Sequence, residues 1–174
     1  MKKIALLILL IWGLGPILYA QNSANIQWLD ITQLEEAMAK EPRKVIIDVY
    51  TDWCGWCKKM DKVTFQDPEV TNYINDHYYA VKFNAEDKRD LDFMGYVFKF
   101  VPSGRRGYNE LAASLLNNKL SYPTVVFLNE KLELIQPIPG FHPKERMHMI
   151  LSYMEEGKDT IPWQDYPKVY KSPY

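Results

Sequence analysis

The spacing of apolar residues switches repeatedly between two periodicities along the chain. The most β-branched run, Lys44–Tyr50, is too apolar for an edge strand and predicts a central strand that is covered on both faces. Segments with apolar residues three and four apart predict amphipathic helices. Strands are predicted at 26–29, 44–50, 78–84, 122–128 and 132–138, and helices at 32–40, 54–63, 68–75 and 144–155. This order of elements predicts an α/β domain.

Local signals predict where two of the helices begin. Thr32 and Glu35 have the spacing of a capping box at the start of the first helix, and Asp30 is an alternative cap. Asp67 followed by Pro68 has the pattern of a helix cap with proline at the first helical position. The sequence therefore predicts that a new helix starts at residue 68.

Residues 1–20 have the pattern of a secretory signal peptide. Lys2 and Lys3 precede an aliphatic run at 4–11, and Ala20 offers a small residue at the cleavage point. The alternative is a membrane anchor, but the apolar span at 4–19 is short for a bilayer crossing and contains Gly and Pro. We expect cleavage to leave no stable membrane span. The mature protein is then expected in the periplasm or otherwise outside the cytoplasm, with a domain at 21–156 and a tail at 157–174.

The charge of the chain excludes some classes of partner. Its 21 basic and 22 acidic residues give a formal net charge of −1, and loss of Lys2 and Lys3 makes the balance more acidic. Such a chain offers no basic patch for nucleic acid and no polybasic segment for an anionic membrane surface. The mature length is enough for one domain with its own core.

The two cysteines of the chain, Cys54 and Cys57, lie at the predicted junction of a strand and a helix. Residues three apart on a helix lie on one side of it, with Cβ atoms about 5–6 Å apart, which is close to disulfide reach. A disulfide that encloses four residues stabilises the fold by only about 2 kcal/mol through loop entropy. The pair is better explained as one that opens and closes. The alternative is an inert or metal-binding pair, although two thiolates without a neighbouring His or Cys make a poor zinc site.

Several separate places in the sequence carry a resemblance to one family. They are Trp53-Cys54-Gly55-Trp56-Cys57-Lys58 at the strand-to-helix junction, Asp48 before it, Lys82 in a later strand, Tyr122-Pro123-Thr124 at the start of another, and Gly140 after the last strand. In these features, over about residues 25–156, the chain resembles the thioredoxin superfamily. It is most similar to the exported thiol:disulfide interchange proteins of that superfamily. The resemblance implies a thioredoxin-like fold, with a central mixed β-sheet flanked by helices.

The predicted catalytic residues have different roles. Cys54 is expected at the start of a helix, where free N–H groups and the helix dipole lower the pKa of its thiol. Cys54 is then the nucleophile, and Cys57 resolves the mixed disulfide. The resemblance implies that Asp48 is a buried acid that accepts the proton of Cys57 and that Lys82 is its neighbour. The alternatives are an ordinary strand-end acid for Asp48 and a lysine that reaches solvent for Lys82.

The resemblance also implies a substrate groove beside the cysteines. It places a cis bond between Tyr122 and Pro123, facing the sulfurs, although a trans bond is the expectation for an X–Pro pair from sequence alone. The backbone there would pair with an extended substrate segment, and the two tryptophans would form an apolar rim. Partial burial in the core is the alternative for these tryptophans, more so for the first. The predicted substrate-binding residues are Trp53, Gly55, Trp56, Tyr122, Pro123 and Thr124.

Two segments depart from the simplest pattern of the family. Residues 85–121 are longer than the usual connection and predict a helical insertion before the proline-containing strand, with helices at 89–100 and 109–116. Arg105 and Arg106 lie in the intervening loop, which we expect to be solvated rather than bound to a partner. The aromatic tail at 157–174 either wraps the domain or stays loose. His142, near the predicted site, is expected to face solvent.

The sequence favours an exported thiol:disulfide oxidoreductase that reduces protein disulfides through Cys54 and Cys57. The residues between the cysteines, Gly55 and Trp56, carry no charge that would stabilise Cys54 further, which favours a reductant or an intermediate electron donor over a strong oxidant. Expected partners are substrate proteins with disulfides and a membrane thiol donor that recharges the pair. We expect no metal and no cofactor apart from the redox-active Cys54–Cys57 disulfide. The alternatives are an oxidase or isomerase, and a non-catalytic protein-binding module.

Overall fold

The computed structural model describes residues 25–174. The predicted signal peptide at 1–20 lies outside this range. Within 25–174, no helix is both long enough and apolar enough to cross a bilayer. The strands are β1 (Trp28–Leu29), β2 (Lys44–Tyr50), β3 (Tyr78–Asn84), β4 (Leu91–Phe93), β5 (Tyr96–Phe98), β6 (Phe100–Ser103), β7 (Arg106–Asn109), β8 (Thr124–Leu128) and β9 (Leu134–Pro139). The α-helices are α1 (Leu34–Lys40), α2 (Gly55–Val63), α3 (Pro68–His77), α4 (Glu110–Leu115) and α5 (Lys144–Ser152).

The central sheet has five strands in the order β1-β3-β2-β8-β9. β1 and β2 run parallel to β3, whereas β8 runs antiparallel to both β2 and β9. The sheet is therefore mixed, as predicted. β2 lies at its centre with the predicted ends, which confirms that the most apolar run of the chain forms the central strand.

Side chains alternate along β2 between two hydrophobic cores. Val45, Ile47 and Val49 belong to the core that α1 and α4 help to form. Ile46 belongs to the other core, which α2, α3 and α5 cover. Successive side chains of a strand point to opposite faces of the sheet, so Asp48 shares the face of Ile46. The strand therefore directs the carboxyl group of Asp48 toward the side of α2.

The first helix uses one of its two predicted caps. A 3₁₀ turn at Ile31–Gln33 precedes α1, and the backbone N–H of Thr32 donates to Oδ1 of Asp30 at 3.0 Å. The backbone N–H of Asp30 donates in return to Oε1 of Gln33 at 2.8 Å. The capping box therefore joins Asp30 and Gln33 instead of Thr32 and Glu35, because the helical turn begins earlier in the chain than the sequence pattern predicted.

The insertion before β8 is not helical over the length that the sequence predicted. Residues 91–109 form two β-hairpins, β4–β5 and β6–β7, and the helix predicted at 89–100 is wrong. Met94 and Gly95 take positive φ angles of 53° and 75° and form the turn of the first hairpin. Leu91 and Phe93 are buried while Asp92 is exposed, which is the alternation of a strand. The second predicted helix, at 109–116, is confirmed as α4.

The C-terminal tail wraps the domain, which decides between the two predicted alternatives. Tyr166 is buried, and its hydroxyl contacts Oγ of Ser152 at 2.9 Å. The hydroxyl of Tyr174 donates to Oδ1 of Asp67 at 2.6 Å, at the start of α3. Asp67 also accepts from the backbone N–H of Glu69, so it caps α3 as predicted. The tail therefore lies across the ends of α3 and α5.

Candidate active site

The cysteine pair lies where the chain leaves the central strand and enters α2. The backbone N–H of Cys54 donates to the carbonyl of Thr51 at 3.1 Å, which turns the chain after β2. Cys54 is the N-cap of α2 and is bonded to Cys57 in a disulfide. The backbone N–H of Cys57 points at Sγ of Cys54 across 3.1 Å. The first sulfur therefore lies at the positive end of a helix and next to one of its free donors, as the sequence predicted.

The two cysteines differ in accessibility. Cys54 is 5% exposed and Cys57 is 1% exposed, so an external reagent reaches Cys54 more readily. Cys57 shares the buried face of α2 with Met60, which is fully buried in the core. Trp53 and Trp56, in contrast, are 51% and 58% exposed. Both tryptophans therefore present a large apolar surface to solvent next to the cysteines, and the rest of each side chain is covered by the protein.

Asp48 is a fully buried acid beside the strand lysine. Its Oδ2 lies 3.0 Å from Nζ of Lys82, and the two residues are direct partners across β2 and β3. Neither carboxylate oxygen accepts a hydrogen bond of good geometry. Burial raises the pKa of Asp48 to about 6, although the charge of Lys82 opposes this rise. The carboxylate is therefore poorly solvated and holds a proton more tightly than an ordinary Asp does.

Lys82 is shared between two carboxylates. Its Nζ contacts Oδ1 of Asp61 on α2 as well as Asp48. Burial lowers the pKa of Lys82, but the charge of Asp48 and the hydrogen bond from Lys82 to Asp61 outweigh this effect and raise it. Lys82 is thus the neighbour of Asp48 that was predicted. The sequence analysis did not assign Asp61 to the site. No local pattern around Asp61, which lies on α2, indicates that it contacts a lysine on β3.

The proline-containing segment of the predicted groove lies against the tryptophan that precedes the first cysteine. The Tyr122–Pro123 bond is cis, and the backbone N–H of Gly140 donates to the carbonyl of Pro123 at 2.8 Å. The ring of Tyr122 meets the ring of Trp53 edge-on, with 6.0 Å between centroids. Thr124 is buried at the start of β8, next to Val49 of β2. Gly55 has open space where a Cβ would lie. These contacts connect the proline-containing segment to the cysteine-bearing turn.

Three residues that the sequence analysis did not assign to the site lie against the tryptophans. The guanidinium carbon of Arg106 lies 4.1 Å from the ring centroid of Trp53. Nζ of Lys59 lies 4.9 Å from the ring centroid of Trp56 and 5.1 Å from that of Phe141. Arg106 is exposed to solvent, as expected, but it lies in a strand of the second hairpin and also contacts the site. Because Arg106 and Trp53 are distant in sequence, no local pattern could have placed Arg106 here.

His142 does not face solvent, in contrast to the expectation from the sequence. It is 6% exposed, and its carbonyl accepts a hydrogen bond from Oγ1 of Thr64 at 2.7 Å. Burial and the charge of Arg146 lower the pKa of the imidazole.

No group of three or more His, Cys, Asp or Glu side chains within 25–174 is arranged to hold a metal ion.

Comparisons with known proteins agree with this geometry. A model of the thioredoxin-like domain family matches residues 32–155. The thiol:disulfide interchange protein DsbD of Pectobacterium atrosepticum is 46% identical over 46 residues, which are 26% of this chain and 8% of that protein. The DsbD of Photorhabdus laumondii is 37% identical over 67 residues, which are 37% of this chain and 12% of that protein. The chain spans less than a fifth of the length of these relatives.

Solved structures show the same fold. A thioredoxin-fold protein from Helicobacter pylori superposes with a TM-score of 0.55, at 22% identity, over 74% of this chain and 80% of that one. The order of elements, the mixed sheet and the family model therefore agree on one architecture. The chain belongs to the thioredoxin-like domain family, as a disulfide oxidoreductase-like protein whose Cys54 and Cys57 are the paired cysteines.

Proposed function

We propose that the protein is an extracytoplasmic thiol:disulfide oxidoreductase that reduces disulfides in other proteins. The observation that carries this proposal is the position of Cys54. Its sulfur is the cap of α2, faces the backbone N–H of Cys57, and is bonded to a cysteine that is more deeply buried. Such a sulfur is stabilised as a thiolate both when it attacks and when it leaves.

The reaction starts from the reduced pair. The thiolate of Cys54 attacks one sulfur of a substrate disulfide, a mixed disulfide forms, and the second substrate sulfur leaves as a thiolate that takes a proton from solvent. Cys57 then loses its proton and attacks Cys54. The first substrate sulfur, which was bonded to Cys54, now leaves as a thiolate and takes a proton, and the Cys54–Cys57 disulfide forms. Two electrons pass from the protein to the substrate, which ends as a dithiol.

Asp48 is the proposed acceptor of the Cys57 proton. It lies on the sheet face that α2 covers, and Cys57 lies on the buried face of α2. A carboxyl with a pKa of about 6 is mostly ionised at neutral pH but takes a proton more readily than an ordinary Asp. Lys82 holds that carboxylate in place and partly balances its charge.

The substrate is proposed to bind across the exposed tryptophans. An extended segment would pair with the backbone at Tyr122 and Pro123, in the manner of an added strand. Trp53 and Trp56 offer large apolar surfaces on either side of Cys54, and Gly55 leaves the space above the turn open. Thr124 is buried at the start of β8, directly after Pro123, and is proposed to hold this segment in position.

The location and the electron donor are proposed from the sequence. Export by residues 1–20 would place the cysteines where disulfides form and persist, which gives a reductase its substrates. Each turnover leaves the pair oxidised, so the cycle needs a second dithiol, and we propose a membrane thiol donor. The DsbD relatives are thiol:disulfide interchange proteins, and this similarity supports a role in thiol–disulfide exchange.

The direction of the reaction is tested by equilibration. The reduced protein is expected to reduce insulin disulfides, and its pair is expected to be mostly oxidised after equilibration with glutathione buffers at about −240 mV, because a reductant has the lower potential. The ratio of oxidised to reduced protein is measured by alkylating the free thiols with a maleimide and determining the mass of the protein by mass spectrometry. A pair that stays reduced in the same buffers would contradict the reductase proposal and favour an oxidase or isomerase.

A further inference from the structure

Both exposed tryptophans of the site carry a cation on their rings. Trp53 immediately precedes Cys54, and the guanidinium of Arg106 lies over its ring. Trp56 immediately precedes Cys57, and Nζ of Lys59 lies over its ring and that of Phe141. A cation over an indole face is attracted by the ring and is held in place. The disulfide is therefore flanked by two positioned positive charges, which come from different parts of the chain.

The hairpin that carries Arg106 is fixed to the sheet. The backbone N–H of Asn109 donates to the carbonyl of Ala85, just after β3, at 2.7 Å, and its side-chain amide donates to the carbonyl of Arg89 at 3.0 Å. Gly107 lies against Phe100 of β6, where an added Cβ would lie 2.2 Å from the ring. This close packing permits only glycine at that position. Arg106 is therefore held beside Trp53 by the fold of the insertion.

These two cations have no acidic partner in the part of the chain that the structure describes. Neither Arg106 nor Lys59 forms an ion pair, whereas Lys82, Lys144 and Arg89 all do. The neighbouring acid Asp52 accepts a hydrogen bond from Nδ2 of Asn84 at 3.3 Å. The charged side chains of the cysteine turn (52–59) and the second hairpin (100–109) are Asp52, Lys58, Lys59, Arg105 and Arg106. The start of the insertion (85–90) adds Glu86, Asp87, Lys88, Arg89 and Asp90.

We propose that Arg106 and Lys59 determine substrate specificity, and that the preferred partner is a polypeptide with acidic residues on both sides of its disulfide. The proposal rests on the reductase function proposed above. An acidic side chain on each flank would pair with one cation, while the apolar part of the flank would lie on the indole beneath. Opposite charges at the rim of an interface speed the encounter and fix the register of the partner. The covalent exchange itself is unchanged.

The test compares disulfide peptides that differ only in charge. Three peptides share one pair of cysteines and carry Glu, Gln or Lys at the flanking positions, and reduction by the reduced protein is followed by mass spectrometry. At low salt the Glu peptide is expected to react about tenfold faster than the Lys peptide, and at high salt less than about twofold faster, because salt screens exposed charges. The difference is expected in KM rather than in kcat.

Matched variants separate charge from shape. The double variant Arg106→Gln with Lys59→Gln is expected to bring the Glu-to-Lys rate ratio below about twofold, whereas Arg106→Lys with Lys59→Arg keeps most of it. Lys131→Gln is the control, because Lys131 is an exposed cation at the far end of β8 from the site. It is expected to leave both rates unchanged.

Two results would overturn the inference. Equal rates for the Glu and Lys peptides at low salt, with both peptides reduced well above the background, would refute the charge preference but leave the reductase function standing. A preference that survives in the Gln double variant would refute the assignment to Arg106 and Lys59. If the wild-type protein reduced none of the three peptides, both this inference and the proposed function would fail.

Discussion

Cys57→Ala is expected to turn the protein into a trap for its substrates. Cys54 would still attack a substrate disulfide, but no internal thiol would release the mixed disulfide. Intramolecular attack has a very high effective concentration, so release by millimolar external thiols should be slower by about a thousandfold or more. The adduct is measured on non-reducing gels and by mass spectrometry after incubation with a disulfide peptide.

The matched variant is Cys54→Ala, in which only the buried Cys57 remains. It is expected to form no adduct and to lose the reduction of insulin entirely, because Cys57 is 1% exposed and lies on the inner face of α2. A stable adduct on Cys57 in this variant would reverse the assignment of nucleophile and resolver. If Cys54→Ala reduced insulin at the wild-type rate, the proposed disulfide exchange through Cys54 and Cys57 would be wrong.

Asp48→Asn is expected to raise the free energy of unfolding at neutral pH and to leave it nearly unchanged at acidic pH. The pKa of Asp48 rises from an ordinary 3.8 to about 6 on folding, mainly through burial. The ionised form is therefore disfavoured in the folded state. At about 1.4 kcal/mol per pKa unit, this shift corresponds to a cost of about 3 kcal/mol once both states are ionised.

The sign of the pH dependence follows from proton binding. Between the unfolded pKa of 3.8 and the folded pKa of about 6, the folded state binds more protons than the unfolded state. The contribution of Asp48 to stability therefore falls as the pH rises through this window, and the full cost applies above it. We compare the free energy of unfolding of Asp48→Asn with that of the wild type. The difference should rise from near zero to about 1–3 kcal/mol across the window. It is smaller than the full cost because burying an amide also costs free energy.

Denaturant unfolding of the oxidised proteins at a series of pH values measures this difference. Asp92→Asn is the control, because Asp92 is an exposed carboxylate on β4. It should change the free energy of unfolding little at any pH. A difference for Asp48→Asn that is constant from acidic to neutral pH would contradict a buried carboxyl with a raised pKa. The same variant should also slow release of the mixed disulfide, since Cys57 would lose its proton acceptor.

Local sequence signals predicted the part of the fold that positions the cysteines. The β-branched run of β2 can be stable only with both faces covered, so its burial and its central place followed from composition alone. The ends of β3 and the cap of α3 followed from short patterns as well. The neighbouring charges of Asp48 and Lys82 followed from the family resemblance, which aligned two strands that are distant in sequence.

The insertion could not be predicted in the same way. Residues 91–98 contain no Pro, and their apolar residues fit a helix nearly as well as two short strands. The hairpin is decided by the turn at Met94 and Gly95 and by burial of Leu91 and Phe93 against the sheet. Contacts between distant segments, such as Arg106 over Trp53, depend on the path of this hairpin. The rim of the site was therefore only partly predictable.

The reactivity of Cys54 tests the account most directly. The reduced protein is treated with iodoacetamide over a range of pH, and the rate at each cysteine is read by mass spectrometry. We expect Cys54 to react first, with a pKa below that of a free cysteine measured in the same buffers, because its thiolate caps α2 and faces the backbone N–H of Cys57. A Cys54 thiol that titrates like free cysteine, or that reacts no faster than Cys57, would contradict the proposed nucleophile.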